Sequence, residues 1–170
     1  MDDNKSTAFV NYIINVVNEN KGYAARMRKA DNDATEYQAW DILANWVDLE
    51  KINERKAYSL IGASLARAKT SRDGNLSLGE ALRMIHYKDN PSLEIEKSST
   101  ALRFRRILAC KDQEELLNLL RVTLRYVESK DLVINYCQLL NEILWFNSEK
   151  SRDWTRSKWA KHFFKKGEES

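Results

Sequence analysis

Apolar residues recur at helical spacing along most of the chain, and residues 98–126 carry two such periods in succession. The first period places four apolar residues on one arc of a helix: Ala101, Phe104, Ile107 and Leu108. The second forms an apolar stripe of five residues: Leu116, Leu117, Leu120, Leu124 and Val127. Arg103 and Arg106 fall opposite the first arc, and Arg121 and Arg125 fall opposite the second, one turn apart. The pattern predicts two adjacent helices, hinged at residues 110–112, that together present arginines on one surface.

The same periodicity predicts helices elsewhere along the chain. One helix is expected from about Asn53 to Lys69, and Ser77 with Glu80 forms a capping box that begins the next. Residues 132–146 are apolar on nearly every side, which is typical of a central helix, and a last helix spans about residues 151–165. One proline and five glycines in 170 residues are too few for an all-β protein. The predicted fold is all-α, a compact bundle of about eight helices without a sheet.

Two segments are harder to interpret. Residues 22–35 could begin a helix or form an ordered turn, and the pattern does not decide between them. A helix from Thr35 would turn a set of large residues toward the core, where their spacing favours packing over base stacking: Tyr37, Trp40, Leu43, Trp46 and Val47.

The chain length fits one domain that spans residues 1–170. A polar loop near residues 87–97 contains the single proline, so it could join two helical lobes of that domain. The N-terminal lobe would cover about residues 6–86 and the C-terminal lobe about residues 98–166.

The formal net charge is only +3, but cations are concentrated in blocks. Residues 21–29 hold Lys21, Arg26, Arg28 and Lys29 without an acid, and residues 150–166 hold seven cations against Asp153. Local basic patches of this kind indicate an anionic partner, and arginine suits phosphate because its planar fork donates two parallel hydrogen bonds. A solvated charged face is the alternative, because three glutamates are near enough in sequence to pair with the arginines: Glu114, Glu115 and Glu128.

The last helix carries a further basic stripe, with Lys158, Lys161 and Lys165 in line with Trp154. The tryptophan could stack on a base, or the lysine stems could cover a half-exposed ring. Both interpretations stay open at the level of the sequence.

Motifs for catalysis or metal binding are missing from the sequence. The two histidines, His86 and His162, have no partner at metal-ligand spacing, and no phosphate-binding glycine loop follows a strand. The turn at residues 73–75 resembles half of a calcium loop, but Lys69 would occupy the first ligand position, so calcium is rejected. We therefore expect no enzyme activity, no metal and no cofactor. Cys110 and Cys137 are expected to be free thiols, and the absence of a signal peptide or membrane span predicts a cytoplasmic protein.

Six segments occur in an order that resembles the small subunit of type I-E CRISPR surveillance complexes, the CasB family of Cascade. They are GYAARMRKA, SLGEALRMI, LRFRRILAC, LLNLLR, INYCQLLNEILWF and a final helix with WAKHFF, and the resemblance spans roughly residues 9–164. Each motif is weak alone, and the resemblance depends on their succession.

The resemblance implies a non-enzymatic, all-helical subunit in antiviral defence that helps to hold opened target DNA in the R-loop. Its implied partners are other Cascade subunits, a second copy of itself, the guide RNA and the target or displaced DNA strand. Carried over by motif, the candidate nucleic-acid-binding residues are Arg28, Lys29, Arg103, Arg106 and Arg121. Local charge adds Arg26, Arg125, Lys158 and Lys161. The alternative hypothesis is an architectural helical adaptor that binds acidic proteins and no nucleic acid.

Overall fold

The computed structural model describes residues 3–165, and α-helices account for most of this range. Within it lie nine α-helices: α1 (Asp3–Glu19), α2 (Lys21–Met27), α3 (Trp40–Leu43), α4 (Ile52–Ala68), α5 (Leu78–Asp89), α6 (Ser99–Leu108), α7 (Gln113–Glu128), α8 (Tyr136–Leu144) and α9 (Glu149–Phe164). Two short 3₁₀ helices, Glu36–Ala39 and Ile95–Lys97, lie between them. The predicted all-α class is confirmed, and over the described range the β-type pairing is an isolated parallel bridge between Leu76 and Ile134.

Helix α4 is the centre of the bundle, since every residue from Ala57 to Ala66 is buried. It packs against α1, α7 and α8, and against α2 at Gly62. The Met27 side chain of α2 fills the space beside Gly62, where a Cβ atom would overlap Met27 Cε. The turn that carries part of the candidate site begins directly after Met27.

The turn at residues 73–76 holds the N-terminus of α8. The Asp73 carboxylate accepts hydrogen bonds from the backbone N–H groups of Gly74, Tyr136 and Cys137, at 2.9, 2.8 and 3.1 Å. Burial raises the pKa of Asp73, while the three amides act in the opposite direction. This acid therefore has a capping role, joining two segments that lie about sixty residues apart in the chain.

The prediction for residues 35–47 is wrong in part. Leu43 and Val47 are buried, but Tyr37 and Trp40 are 61% and 37% exposed. The segment forms a 3₁₀ turn, Glu36–Ala39, followed by the short α3. Since 3₁₀ and α geometry differ in residues per turn, the aromatic side chains do not stay on one face.

The buried apolar side chains form a cluster that extends from Phe9 in α1 to Phe163 in α9. Residues from both predicted lobes belong to this cluster, and the division into lobes stays a prediction. Cys110 is buried and Cys137 is half-buried, and neither is part of a disulfide. Among the described helices, none combines the length and the apolar composition needed to cross a membrane.

Candidate nucleic-acid interface

Helices α6 and α7 lie together and bury the faces that their sequence predicts. In α6, Ala101, Phe104 and Ile107 are buried, while Leu108 is half-buried. In α7 the buried apolar set is Leu116, Leu120, Leu124 and Val127. Ser98 caps α6 by accepting a hydrogen bond from the Ala101 N–H, and Asp112 caps α7 in the same way. The polar sides of both helices are thereby directed away from the core.

A shallow groove of about 300 Å³ runs between α6 and α7. Arg103 and Arg106 line it from α6, and the exposed Val122 lines it from α7. The guanidinium carbon of Arg103 lies 4.5 Å from the centroid of the Tyr126 ring, a cation–π contact that joins the two helices. Arg106 is exposed. The groove is thus lined by Arg103, which stacks on Tyr126, by the exposed Arg106, and by the apolar side chain of Val122.

On the other side of α7, Arg121 and Arg125 contact Asp31, an acidic residue that was not among the sequence candidates. Arg121 Nη1 donates to the backbone carbonyl of Asp31 at 3.1 Å, and Arg125 Nη2 lies 3.4 Å from both Asp31 carboxylate oxygens. The Asp31 side chain is only 1% exposed, whereas that of Arg125 is 55% exposed. Arg125 therefore contacts a buried carboxylate and keeps more than half of its side chain exposed to solvent.

Asp31 is already paired with a third arginine from α4. Arg67 Nη1 lies 2.9 Å from Asp31 Oδ2, and Arg67 Nε lies 2.7 Å from Glu128 Oε2. The cluster contains three guanidinium groups (Arg67, Arg121 and Arg125) and two carboxylates (Asp31 and Glu128), so its charge is +1. Glu128 is paired with Arg67, and Glu115 accepts from the Lys111 N–H. Within the five-residue cluster, the two carboxylates leave one guanidinium charge in excess.

The turn after α2, which also carries Asp31, holds two further cations. The Arg28 carbonyl accepts from Arg67 Nη1 at 3.5 Å, the Arg28 side chain is half-buried, and Lys29 is exposed. Arg26 differs, because its Nη1 lies 2.5 Å from Asp41 Oδ2 and its guanidinium lies over the Tyr23 ring. Arg26 is thus partly neutralised by a neighbouring carboxylate.

Four of the candidate arginines lie on the neighbouring helices α6 and α7, and two more cations lie in the turn after α2, whose Asp31 contacts α7. We call these six residues the α7 cationic surface: Arg28, Lys29, Arg103, Arg106, Arg121 and Arg125.

The lysines of α9 lie on another element. Lys158 Nζ is 2.8 Å from Glu142 Oε1, and its side chain is only 20% exposed. Burial raises the pKa of Glu142, which also accepts from the indole N–H of Trp159 at 2.9 Å. Lys161 is exposed on the same helix. Lys158 thus stabilises the α8–α9 contact, and it lines a groove separate from the α7 cationic surface.

Three residues that shape the site were not among the sequence candidates: Asp31, Arg67 and Tyr126. Asp31 follows the basic run 26–29 by two residues, and Tyr126 sits one position after Arg125. Their nearness in sequence to the basic residues is the only feature that could have pointed to them. Asp31 pairs with residues 90 or more positions away, and the sequence pattern does not reveal such pairs. Across residues 3–165, no three His, Cys, Asp or Glu side chains cluster as metal ligands.

Comparison with known proteins gives two similarities. The family model described as CRISPR-associated protein Cse2 matches residues 23–164. The crystal structure of M. ruber CasB is similar with a TM-score of 0.70 and 24% sequence identity, over 94% of this chain and 92% of that chain. At that identity the structural similarity establishes the fold. No curated protein sequence matches the chain.

Proposed function

The chain belongs to the Cse2 (CasB) family and is a small subunit of type I-E Cascade in CRISPR defence, and from this premise we propose that it is non-catalytic and binds nucleic acid without regard to sequence. The proposed role is to stabilise opened target DNA through the α7 cationic surface. The proposed partners are the guide RNA, the target or displaced DNA strand, a second copy of the chain and neighbouring Cascade subunits.

The observation that carries the proposal is the excess of cations around α7. Arg106 and Lys29 are exposed, and Arg125 is more than half exposed although it contacts Asp31. The Asp31 carboxylate beneath Arg125 is buried and is also paired with Arg67, so one negative charge is shared between two guanidinium groups. Side chains in this arrangement can donate to phosphate oxygens, which are the same for every base.

Modest contacts are sufficient for the proposed role. Opening target DNA exchanges a DNA duplex for a hybrid of similar stability, so a few contacts to the sugar-phosphate backbone shift the balance. A displaced single strand follows an irregular path, which fits long cationic side chains along a shallow groove.

A second candidate function comes from the floor of the α6–α7 groove. Leu102 and Val122 are 57% and 59% exposed, next to Arg103 and Arg106. An apolar strip flanked by arginines also fits an acidic amphipathic segment of a neighbouring protein. In that case the groove would contribute to assembly of the complex, and its arginines would not touch nucleic acid.

The test uses Cascade assembled with the double variant Arg103→Ala/Arg106→Ala, and measures how long opened target DNA is retained at physiological salt. Loss of two phosphate contacts is expected to weaken retention roughly tenfold. Arg83→Ala, which removes a half-buried arginine stacked over Tyr87 on α5, is the matched control and should retain DNA normally.

Two outcomes would contradict the proposal. Normal retention by a fully incorporated double variant would exclude phosphate binding by this arginine pair. Failure of the folded variant to enter the complex would favour the protein-docking function.

A further inference from the structure

A second groove, of about 830 Å³, lies between α8 and α9 and is separate from the α7 cationic surface. Trp145 and Trp154 line it and are 46% and 59% exposed. Large aromatic side chains are usually buried, and the other face of α9 follows this rule, since Trp159 and Phe163 are 0% exposed. The two open indole rings are therefore not accounted for by the packing of the bundle.

The surroundings of this groove are basic. Trp154 begins a stripe that continues at helical spacing through Lys158, Lys161 and Lys165, and Lys150 lines the groove itself. The carboxylate that lines the groove, Glu142, is buried and paired with Lys158. Lys150 and Lys161 are exposed on the side of Trp154, whereas the exposed acids of α9, Glu149 and Asp153, lie about 100° or more around the helix from Trp154, so the rim beside Trp154 is positive.

Trp154 is also held in place before any ligand arrives. Lys158 Nζ lies 4.8 Å from the centroid of its ring, and Lys158 is fixed by Glu142. One face of the indole is thus covered by a cation, yet more than half of the residue remains exposed. A ring that is oriented in advance loses little conformational entropy when a planar ligand stacks on it.

We propose that the α8–α9 groove binds an unpaired base of a single-stranded nucleic acid, with Trp154 as the stacking platform and Lys150 and Lys161 near the flanking phosphates. The proposal deepens the proposed function and depends on it for the class of ligand. An aromatic ring beside a cationic track is the usual arrangement for single strands, because every base has a face that can stack. The positive rim matches a phosphate chain better than a neutral or basic polypeptide.

The groove would give the subunit a preference that arginines alone do not give. Phosphate contacts recognise duplex and single strand alike, whereas stacking on Trp154 requires a base that has left its helix. A displaced strand supplies such bases, and closed duplex does not.

The test measures equilibrium binding of the full chain to a thymidine 20-mer and to a duplex of equal length. Tryptophan fluorescence and anisotropy are the two readouts. Trp154→Ala is expected to weaken binding of the single strand by roughly five- to a hundredfold, the range found for loss of one base–aromatic stack. Duplex affinity should change less than about twofold, because phosphate contacts are kept. Trp40→Ala is the control, since Trp40 is also exposed but lies in α3 beneath Arg55.

The variant Arg103→Ala/Arg106→Ala separates the two proposals. If both hold, this variant binds both ligands more weakly, yet it shows the full fluorescence change at saturation. If only the groove proposal holds, the arginine variant binds as the unaltered chain does, whereas Trp154→Ala loses single-strand affinity. Unchanged single-strand binding by Trp154→Ala, or an equal loss for duplex, overturns the groove proposal. If Trp154→Ala binds the single strand as the unaltered chain does but is poorly incorporated into Cascade, the groove contacts a neighbouring protein instead.

Discussion

The variant Arg67→Met tests whether a buried charge cluster supports the α7 cationic surface. Arg67 contacts Asp31 at 2.9 Å and Glu128 at 2.7 Å, and the side chains of these acids are only 1% and 8% exposed. Methionine keeps the apolar stem of arginine but leaves both carboxylates without their main partner.

The expected cost follows from that burial. Removing one partner of a buried ion pair costs about 3–5 kcal/mol, because the charge left behind is poorly solvated. A domain of this size has a total stability of roughly 5–15 kcal/mol, so the variant should lose a large fraction of it. Asp31 also holds Arg121 and Arg125, and nucleic-acid affinity should fall with stability.

Urea unfolding followed by circular dichroism measures the effect. Lys97→Met is the control, since Lys97 pairs with Glu94 at 2.7 Å but both side chains are about two-thirds exposed; its midpoint should not change. The triple variant Asp31→Asn/Arg67→Met/Glu128→Gln removes the unpaired charges and should recover at least about half of the loss. A loss below about 1 kcal/mol for Arg67→Met, or no recovery in the triple variant, would refute the reasoning.

Three further variants or probes test other parts of the account. Gly79→Ala should destabilise the fold by about 1–3 kcal/mol in urea unfolding, because the added Cβ atom would overlap the backbone of α9. Gly22 lies at an exposed position, so Gly22→Ala should not destabilise the fold. Equal effects of the two substitutions would contradict this packing. Burial raises the pKa of Cys110 to about 11, which leaves little of the reactive thiolate at neutral pH. Iodoacetamide should therefore label the half-buried Cys137 of the native chain before Cys110, as mass spectrometry can measure. Labelling of Cys110 first would contradict this prediction. Burial also raises the pKa of Glu142, so the folded chain keeps a proton that the unfolded chain has lost. The stability that this carboxyl contributes is greatest below the pKa of a glutamate in the unfolded chain and is lost as the pH rises through the folded pKa, so Glu142→Gln should flatten this part of the urea-unfolding profile.

Much of the fold could be predicted because the helices are long and strongly amphipathic. The helix expected from Asn53 to Lys69 is found at Ile52–Ala68, and the capping box of Ser77 and Glu80 begins α5 as expected. The failure at residues 35–47 has a local cause. Competition between 3₁₀ and α geometry over a few residues depends on packing against α4, which a hydrophobic pattern does not encode.

The sequence predicted which cations of the candidate site face outward, but not the acidic residues with which they pair. The positions of Arg103 and Arg106 follow from the buried arc of α6, because side chains opposite that arc must face outward. The contact between Arg125 and Asp31 joins residues 94 positions apart, and periodicity carries no information about such pairs. For the same reason, Lys158 was expected to be outward-facing and is found paired with Glu142.

The central claim is that the cations around α7 bind sugar-phosphate strands, and the salt dependence of single-strand binding by the full chain tests it most directly. For single strands each phosphate contact contributes about 0.7 to the slope of log affinity against log salt concentration. We predict that Arg103→Ala/Arg106→Ala lowers the magnitude of this slope by about 1.4, and that Arg83→Ala leaves it unchanged. A folded double variant with the slope of the unaltered chain would contradict the account.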